Sequence, residues 1–198
     1  MPGTADKVKS GTADKVKFGV KNVHYALLTN EGTPTYDTPV AIPGAVSLSL
    51  EASGESTPFY ADNMQYYVTV SNSGYETELE VAIFPDSFLM DVLGYTQSTT
   101  DKVLTENSNV QPKPFALLFE EAGDQSGTKF VLYNCTATRP SRTLETTEDT
   151  TEPTTQTCTI TASPLTDGRT MSMTSADSPE TVGQGWYTKV WLADAAGA

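Results

Sequence analysis

The stretch Gln65-Tyr66-Tyr67-Val68-Thr69-Val70-Ser71-Asn72-Ser73-Gly74-Tyr75-Glu76-Thr77-Glu78-Leu79-Glu80-Val81-Ala82-Ile83 decides the fold class. Tyr66, Val68 and Val70 alternate with Gln65, Tyr67 and Thr69, and residues 71–74 supply turn chemistry. Leu79, Val81 and Ile83 then alternate with Glu78, Glu80 and Ala82. Successive side chains of a strand point to opposite faces, so this pattern predicts two strands joined as an antiparallel hairpin. Upstream, Val46, Leu48 and Leu50 lead through Ala52-Ser53-Gly54-Glu55 to Phe59 and Tyr60, a second predicted hairpin. Downstream, residues 115–119 run through a turn at 123–127 to residues 130–138, a third. Residues 157–162 and 170–174, with Asp167-Gly168 at the bend, predict a fourth, and residues 186–191 a closing strand. One segment reads as a helix: Asp86-Ser87 as its cap, Phe88, Leu89, Val92 and Leu93 at helical spacing, Gly94 as its stop. Many short strands and one amphipathic helix predict a mainly β fold. The expectation is an antiparallel β-sandwich or barrel flanked by one short α-helix, with long loops and an N-terminal arm.

Three stretches interrupt the pattern. Residues 30–44 hold Pro34, Pro39 and Pro43, residues 96–114 are polar, and residues 139–156 are rich in Thr and Glu. Proline removes a ladder donor, so 30–44 is not expected to form a regular central strand. Loops of this length in a compact domain are usually binding segments or disordered ones. Three of them predict a surface that meets other chains.

The chain has 198 residues and carries 12 Lys+Arg against 25 Asp+Glu, a net charge of -13. Such an acidic balance argues against affinity for nucleic-acid backbones, which needs Lys and Arg to displace counterions. No apolar run approaches the ~20 residues of a spanning helix. The opening lacks a signal-peptide core, so export by that route is not expected. Charge is unevenly placed: residues 1–21 hold five lysines (Lys7, Lys9, Lys15, Lys17, Lys21) against Asp6 and Asp14, a balance of +3 that leaves −16 on the remainder. The leader also repeats GTADKVK at 3–9 and 11–17. Charge alone fits either a solvated tail or an arm that binds the acidic face of a second copy.

The residues that carry chemistry are few. His24 is the one histidine, within a predicted strand over 20–28, and a base-activated serine or a metal site ordinarily needs more than one such residue. Cys135 and Cys158 fall on separate predicted strands and read as reduced, packed thiols. No phosphate-cradling glycine loop, nucleophile elbow or paired zinc dyad occurs. The chain is read as a non-enzyme with no cofactor and no metal. The arrangement that stands out is acidic: Glu76, Glu78 and Glu80 share one face of a strand, and Leu79, Val81 and Ile83 are expected on the buried face. Pattern alone allows an ordinary water-facing sheet surface or a dedicated carboxylate wall.

Several motifs in order resemble the major tail (tail tube) proteins of long, non-contractile-tailed bacteriophages. They are Phe18-Gly19-Val20-Lys21-Asn22-Val23-His24-Tyr25-Ala26, Tyr60-Ala61-Asp62-Asn63, and Leu79-Glu80-Val81-Ala82-Ile83-Phe84-Pro85 with the short helix after it. Residues 114–119, Lys129-Phe130-Val131-Leu132-Tyr133-Asn134 and Arg139-Pro140-Ser141 before the Thr/Glu-rich segment complete the series, which spans about 18–175. The duplicated leader is not part of the pattern. The resemblance implies a flexible basic arm over 1–18, a tail-tube β-sandwich domain over 19–192 and a tail over 193–198. It implies hexameric rings stacked into a tube, assembled in the host bacterial cytoplasm and resident in the virion tail. Tape-measure, tail-terminator and baseplate or distal tail proteins would be partners, DNA would pass without specific binding, and no membrane is involved. Glu76, Glu78 and Glu80 are then candidates for the channel lining, where carboxylates repel a polymer carrying one charge per about 1.7 Å. Pro34, Tyr36, Pro39, Glu145, Glu148 and Asp149 are inter-ring loop candidates, and Lys7, Lys9, Lys15 and Lys17 arm candidates. Two other readings stay open. One is the tube of a phage-derived bacteriocin or injection device. The other is a β-sandwich carbohydrate-binding module, for which Trp186, Tyr187 and Trp191 are the clustered aromatics.

Overall fold

The computed structural model describes residues 19–61, 64–122, 127–144 and 154–192. The first half of the chain runs β1 (Val20–Asn30), β2 (Thr35–Tyr36), β3 (Val40–Ala41), β4 (Ala45–Leu48), β5 (Glu51–Ser53), β6 (Ser56–Ala61), β7 (Met64–Val70), β8 (Gly74–Val81) and α1 (Asp86–Asp91). The second half runs β9 (Thr96–Gln97), β10 (Leu104–Thr105), β11 (Phe115–Glu121), β12 (Lys129–Ala137), β13 (Ser141–Arg142), β14 (Gln156–Ser163), β15 (Met171–Met173) and α2 (Glu180–Gly185). The chain is mainly β, as expected.

The main sheet is a single antiparallel surface whose spine is β2-β1-β11-β12-β14-β8-β4. It curls. Ile42 N–H donates to Val23 O on β1 (2.8 Å), and two residues later Gly44 O accepts from Ala82 N–H just past β8 (2.8 Å). The two ends of the sheet are therefore bridged by a few residues, although they do not close a barrel with a continuous ladder. The concave side holds the principal core, with Val23, Tyr25, Ile42, Leu79, Val81, Leu117, Leu132 and Ile160. Helix α1 caps it through Phe88 and Leu89, both buried. Phe88 packs edge-on to Tyr25 and Phe115, with ring centroids 5.3 and 5.8 Å apart. The convex side of β11 and β12 holds a second cluster, Ala26, Ala116, Leu118, Val131, Tyr133, Leu165 and Trp186. Burial on both sides explains the unbroken apolar runs at 115–119 and 130–133, which alternation alone does not account for.

The third predicted hairpin is present: β11 pairs with β12, Phe119 opposite Phe130. The others are corrected. β7 and β8 do not pair with each other. β8 pairs with β4 and β5, while β7 pairs with β6. The register continues from Leu48↔Leu79 through Ser53↔Gly74 to Ser56↔Val70 and Ala61↔Met64, so residues 45–81 form one long two-stranded ribbon. Residues 71–74 continue the ribbon instead of reversing it. Asn72 Oδ1 accepts from Gly74 N–H (3.0 Å), and Gly74 has φ 112°. A Cβ on Gly74 would lie 1.9 Å from Ala162 O, and one on Gly54 would lie 2.1 Å from Ser71 O. Both glycines are demanded by close main-chain approach.

The predicted fourth hairpin is likewise absent. β14 and β15 both run antiparallel to β12, at Asn134↔Ser163 and Leu132↔Met171, as one interrupted strand. Asp167-Gly168 closes a small loop between them, with Leu165 N–H bonded to Arg169 O (2.8 Å). Residues 186–191 are not a strand. They follow α2, a helix of sequence ETVGQG whose two glycines concealed it from propensity reasoning. Helix α1 begins after Pro85 with no side-chain cap, so Asp86-Ser87 does not cap it. Residues 30–44 are ordered edge structure: β2 and β3 both pair with β1.

Candidate functional site

The carboxylate face forms as the alternation predicts. Glu76 and Glu78 are exposed and Glu80 half-buried, while Thr77, Leu79 and Val81 point into the core. Ile83 is the exception: it lies past the strand and is 69% exposed, not buried. On β14 the register sets Thr161, Thr159 and Thr157 beside Glu76, Glu78 and Glu80. On the other side Glu51 lies opposite Glu76, and Ser47 opposite Glu80. Glu80 accepts hydrogen bonds from Thr155 Oγ1 (2.6 Å) and Ser47 Oγ (2.8 Å). Thr155 first and Ser47 second hold its carboxyl below the usual carboxylate range. The face is thus four carboxylates in a field of hydroxyls. Glu51 was missed in the sequence, although Ser47, Ser49, Glu51 and Ser53 repeat at a spacing of two. Directly opposed like charges such as Glu51 and Glu76 destabilise a strand pair, so this face is stabilised from elsewhere in the sheet.

The distal half of the ribbon, β6–β7, pairs with no other strand among the described residues. It carries Met64 at 70%, Tyr66 at 79%, Tyr67 at 63% and Val70 at 75% exposure. Tyr66 and Tyr67 are consecutive and so face opposite sides, with exposed Met64 and Val70 on the side of Tyr66. An isolated two-stranded ribbon is marginal in water, and exposed apolar surface of this kind marks contact with other chains.

Of the loop candidates, Pro34 and Pro39 are half-buried, and Tyr36 lies on β2 with its hydroxyl donated to Tyr133 O (2.9 Å). Burial pushes the Tyr36 phenol well up. Glu145, Glu148 and Asp149, and the arm residues Lys7, Lys9, Lys15 and Lys17, lie outside the described residues.

Sequence reasoning also missed the site's best-connected charge. Glu120, buried on β11, accepts from Asn22 Nδ2 (2.9 Å) and pairs with Lys21 Nζ (3.0 Å) and Lys129 Nζ (4.0 Å). The Tyr187 hydroxyl approaches it at 3.4 Å, and the His24 ring stacks on Tyr187 with centroids 4.5 Å apart. Burial pushes the Glu120 carboxyl up. The bonds from Asn22 and Lys21, with the charges of Lys129 and Lys21, more than reverse this and leave it below its ordinary value. The cluster is a clasp that ties β1, β11 and β12 to the C-terminal segment.

That segment lies against the convex side. Trp186 is 3% exposed and donates Nε1–H to Phe130 O (3.3 Å), and Tyr133 donates its hydroxyl to Trp191 O (2.8 Å). A buried Trp186 is no sugar-stacking platform. Cys135 and Cys158 are free and buried, their thiols raised to about 12 and about 11 chiefly by burial. Among the described residues no group of three His, Cys, Asp or Glu is placed to hold a metal ion. None of the described helices is long and apolar enough to cross a membrane.

A curled sheet that continues into a separate two-stranded ribbon with exposed Met64, Tyr66, Tyr67 and Val70, and no metal-holding group among the described residues, fits a structural subunit. The chain belongs to the phage tail tube protein family, whose model matches residues 9–196. Among curated proteins none matches the sequence. Similar solved structures include a chain from the sheath/tube terminator of an extracellular contractile injection system in its extended state. It is 12% identical, with 82% of this chain and 100% of that one covered and a TM-score of 0.47. A chain of the sheath–tube complex of such a system gives 10% identity, 78% and 89% coverage and a TM-score of 0.46. The tube-terminating cap of an anti-feeding prophage gives 11%, 85% and 99%, and 0.46.

Proposed function

We propose that copies of this chain close into hexameric rings that stack into the tail tube, with the Glu76–Glu78–Glu80 face turned to the channel through which DNA leaves the capsid. The observation that carries the reading is the ribbon of residues 45–81. Its base presents Glu51, Glu76, Glu78 and Glu80 on one side and core residues on the other, and its far half presents apolar side chains that this chain does not cover. Ring closure around the ribbons multiplies the carboxylates into a negative collar. Repulsion within the collar is tolerable while the channel holds water and counterions. A basic wall would bind phosphates and stall their passage, whereas an acidic wall keeps DNA sliding. Tape-measure, terminator and baseplate proteins would meet the tube at its axis and ends. Residues 1–18 supply a basic arm for the acidic body of a neighbouring copy.

The test is the triple substitution Glu76→Lys, Glu78→Lys and Glu80→Lys in the phage. Subunits should fold and assemble, because Glu76 and Glu78 are exposed, the change at half-buried Glu80 removes only the bonds from Thr155 and Ser47, and the buried face is untouched. DNA ejection should slow or stop, with the defect easing as salt rises. Ejection at the wild-type rate at every ionic strength would remove the carboxylates from the channel.

A further inference from the structure

The segment that follows α2 lies beside β15, and together they frame a groove of about 590 Å³. Its apolar walls are Met173, Val182, Trp186, Val190, Trp191 and Leu192. The fold holds these walls in place. Trp186 donates Nε1–H to Phe130 O (3.3 Å), and the Trp191 carbonyl accepts from the Tyr133 hydroxyl (2.8 Å). Gly185 gives the Trp191 indole its room, since a Cβ there would lie 3.4 Å from Trp191 Cζ2. A concave site of this size, with an apolar lining and few polar groups, is the usual form of a small-ligand site.

The polar groups select the ligand. Besides three hydroxyl side chains the lining holds one polar residue, Lys189, and no carboxylate. On a chain of net charge -13 this is a local inversion of sign. Lys189 Nζ lies 4.3 Å from the centroid of the Trp191 ring, so the ammonium is held against the aromatic wall. The neighbouring hollow holds both Lys129 and Glu180 and adds no net charge. Trp191 also brings a donor: its Nε1–H is shielded from water and has no acceptor among the described residues. A shielded donor without a partner is a standing cost, which a ligand oxygen meeting it as the indole turns would remove.

We propose that this groove binds a single-chain anionic amphiphile, a medium-chain carboxylate. Its alkyl chain lies along Met173, Val182 and Trp186, and its carboxylate meets Lys189 Nζ and the Trp191 indole N–H. An alkyl chain suits these walls better than a peptide does, because a peptide would bring main-chain donors and acceptors that apolar side chains leave unanswered. A cationic head would meet Lys189 as a like charge. The site stands on one copy of the chain and does not depend on ring formation.

The chain has two tryptophans, Trp186 and Trp191, and both line the groove, so the emission of the full-length protein reads its occupancy directly. Octanoate, decanoate and dodecanoate, each below its micelle concentration, should shift or quench that emission saturably. Each added methylene should tighten binding roughly two- to fourfold, the groove being half open. Lys189 is exposed, so Lys189→Gln should melt with the parent protein; it should weaken decanoate about five- to tenfold and leave decan-1-ol unchanged. Decan-1-ol or decylammonium binding the parent as tightly as decanoate would overturn the proposal, and so would an unchanged decanoate affinity in Lys189→Gln. Emission that no carboxylate moves at millimolar concentration would overturn it too. Emission that shifts only when copies associate would do the same and give the groove to a second copy.

Discussion

Replacing Glu120 with Gln tests the clasp that holds the C-terminal segment to the sheet. The variant keeps the shape of the side chain and removes its charge. Two charge-assisted bonds are weakened, from Asn22 at 2.9 Å and from Lys21 at 3.0 Å, with Lys129 contributing at 4.0 Å. Hydrogen bonds to a charged group contribute about 1.5–3 kcal/mol. The Lys21 side chain is half exposed, so its share is discounted. The expected loss is about 2 kcal/mol at neutral pH, which for a domain of this size lowers Tm by roughly 4–8 °C. The sign with pH follows from the lowered carboxyl of Glu120 in the fold. A depressed pKa stabilises above the unfolded value, near 4.5, and that contribution disappears as pH falls through the folded value. Urea titrations of both proteins from pH 8 to pH 3 should therefore show a constant gap down to about pH 5–6 and convergence below it. An equal gap at pH 3 and pH 7 would show that the charge is irrelevant and that the clasp works by shape alone.

Two further outcomes follow from the ribbon. Thr77 is fully buried on β8 and its hydroxyl has no hydrogen-bond partner, so the near-isosteric Thr77→Val should stabilise the fold by about 1 kcal/mol in the same titration. Gly74→Ala sets a Cβ against Ala162 O at a backbone angle that L side chains avoid. It should cost about 1–3 kcal/mol or more and disturb tube assembly beyond its effect on melting, because the β6–β7 ribbon leaves the sheet at that residue.

What the sequence disclosed and what it withheld divide along a physical line. Alternation is local, and it located β7, β8 and the side of β8 that carries Glu76, Glu78 and Glu80, while the apolar runs at 115–119 and 130–133 located β11 and β12. Helix α1 was legible for the same reason, since Phe88, Leu89, Val92 and Leu93 repeat within two turns and all are buried. Partner choice is not local. Residues 71–74 and 167–168 both have sound turn chemistry, but only 167–168 turn. Asn72 caps Gly74 N–H, and Asp167 Oδ1 accepts from Arg169 N–H at 3.1 Å. Yet the first lies within a continuous ribbon and the second only interrupts a strand. A turn dipeptide sets a few dihedral angles, whereas reversal into a hairpin depends on which distant strand lies alongside.

The candidate site divides in the same way. The carboxylates of β8 were legible because all three lie on one strand, while Glu51 joins them only through the β5–β8 register. Glu120 gave no periodic signal, and its partners lie on three other segments, reaching 98 residues back to Asn22. The β6–β7 ribbon is the instructive case. The alternation of Tyr66, Val68 and Val70 predicts a strand, and apolar alternation ordinarily means burial within the same chain. Here Met64, Tyr66 and Val70 are exposed in the chain itself. Within one chain, nothing in the pattern of residues 64–70 separates a strand of the core from an exposed one; the ladder to the main sheet ends at Gly54 and Gly74, where main chains approach too closely for any Cβ, and β6 and β7 continue as a separate two-stranded sheet. The glycines that look like turn punctuation thus mark, at Gly54 and Gly74, where the ribbon parts from the main sheet.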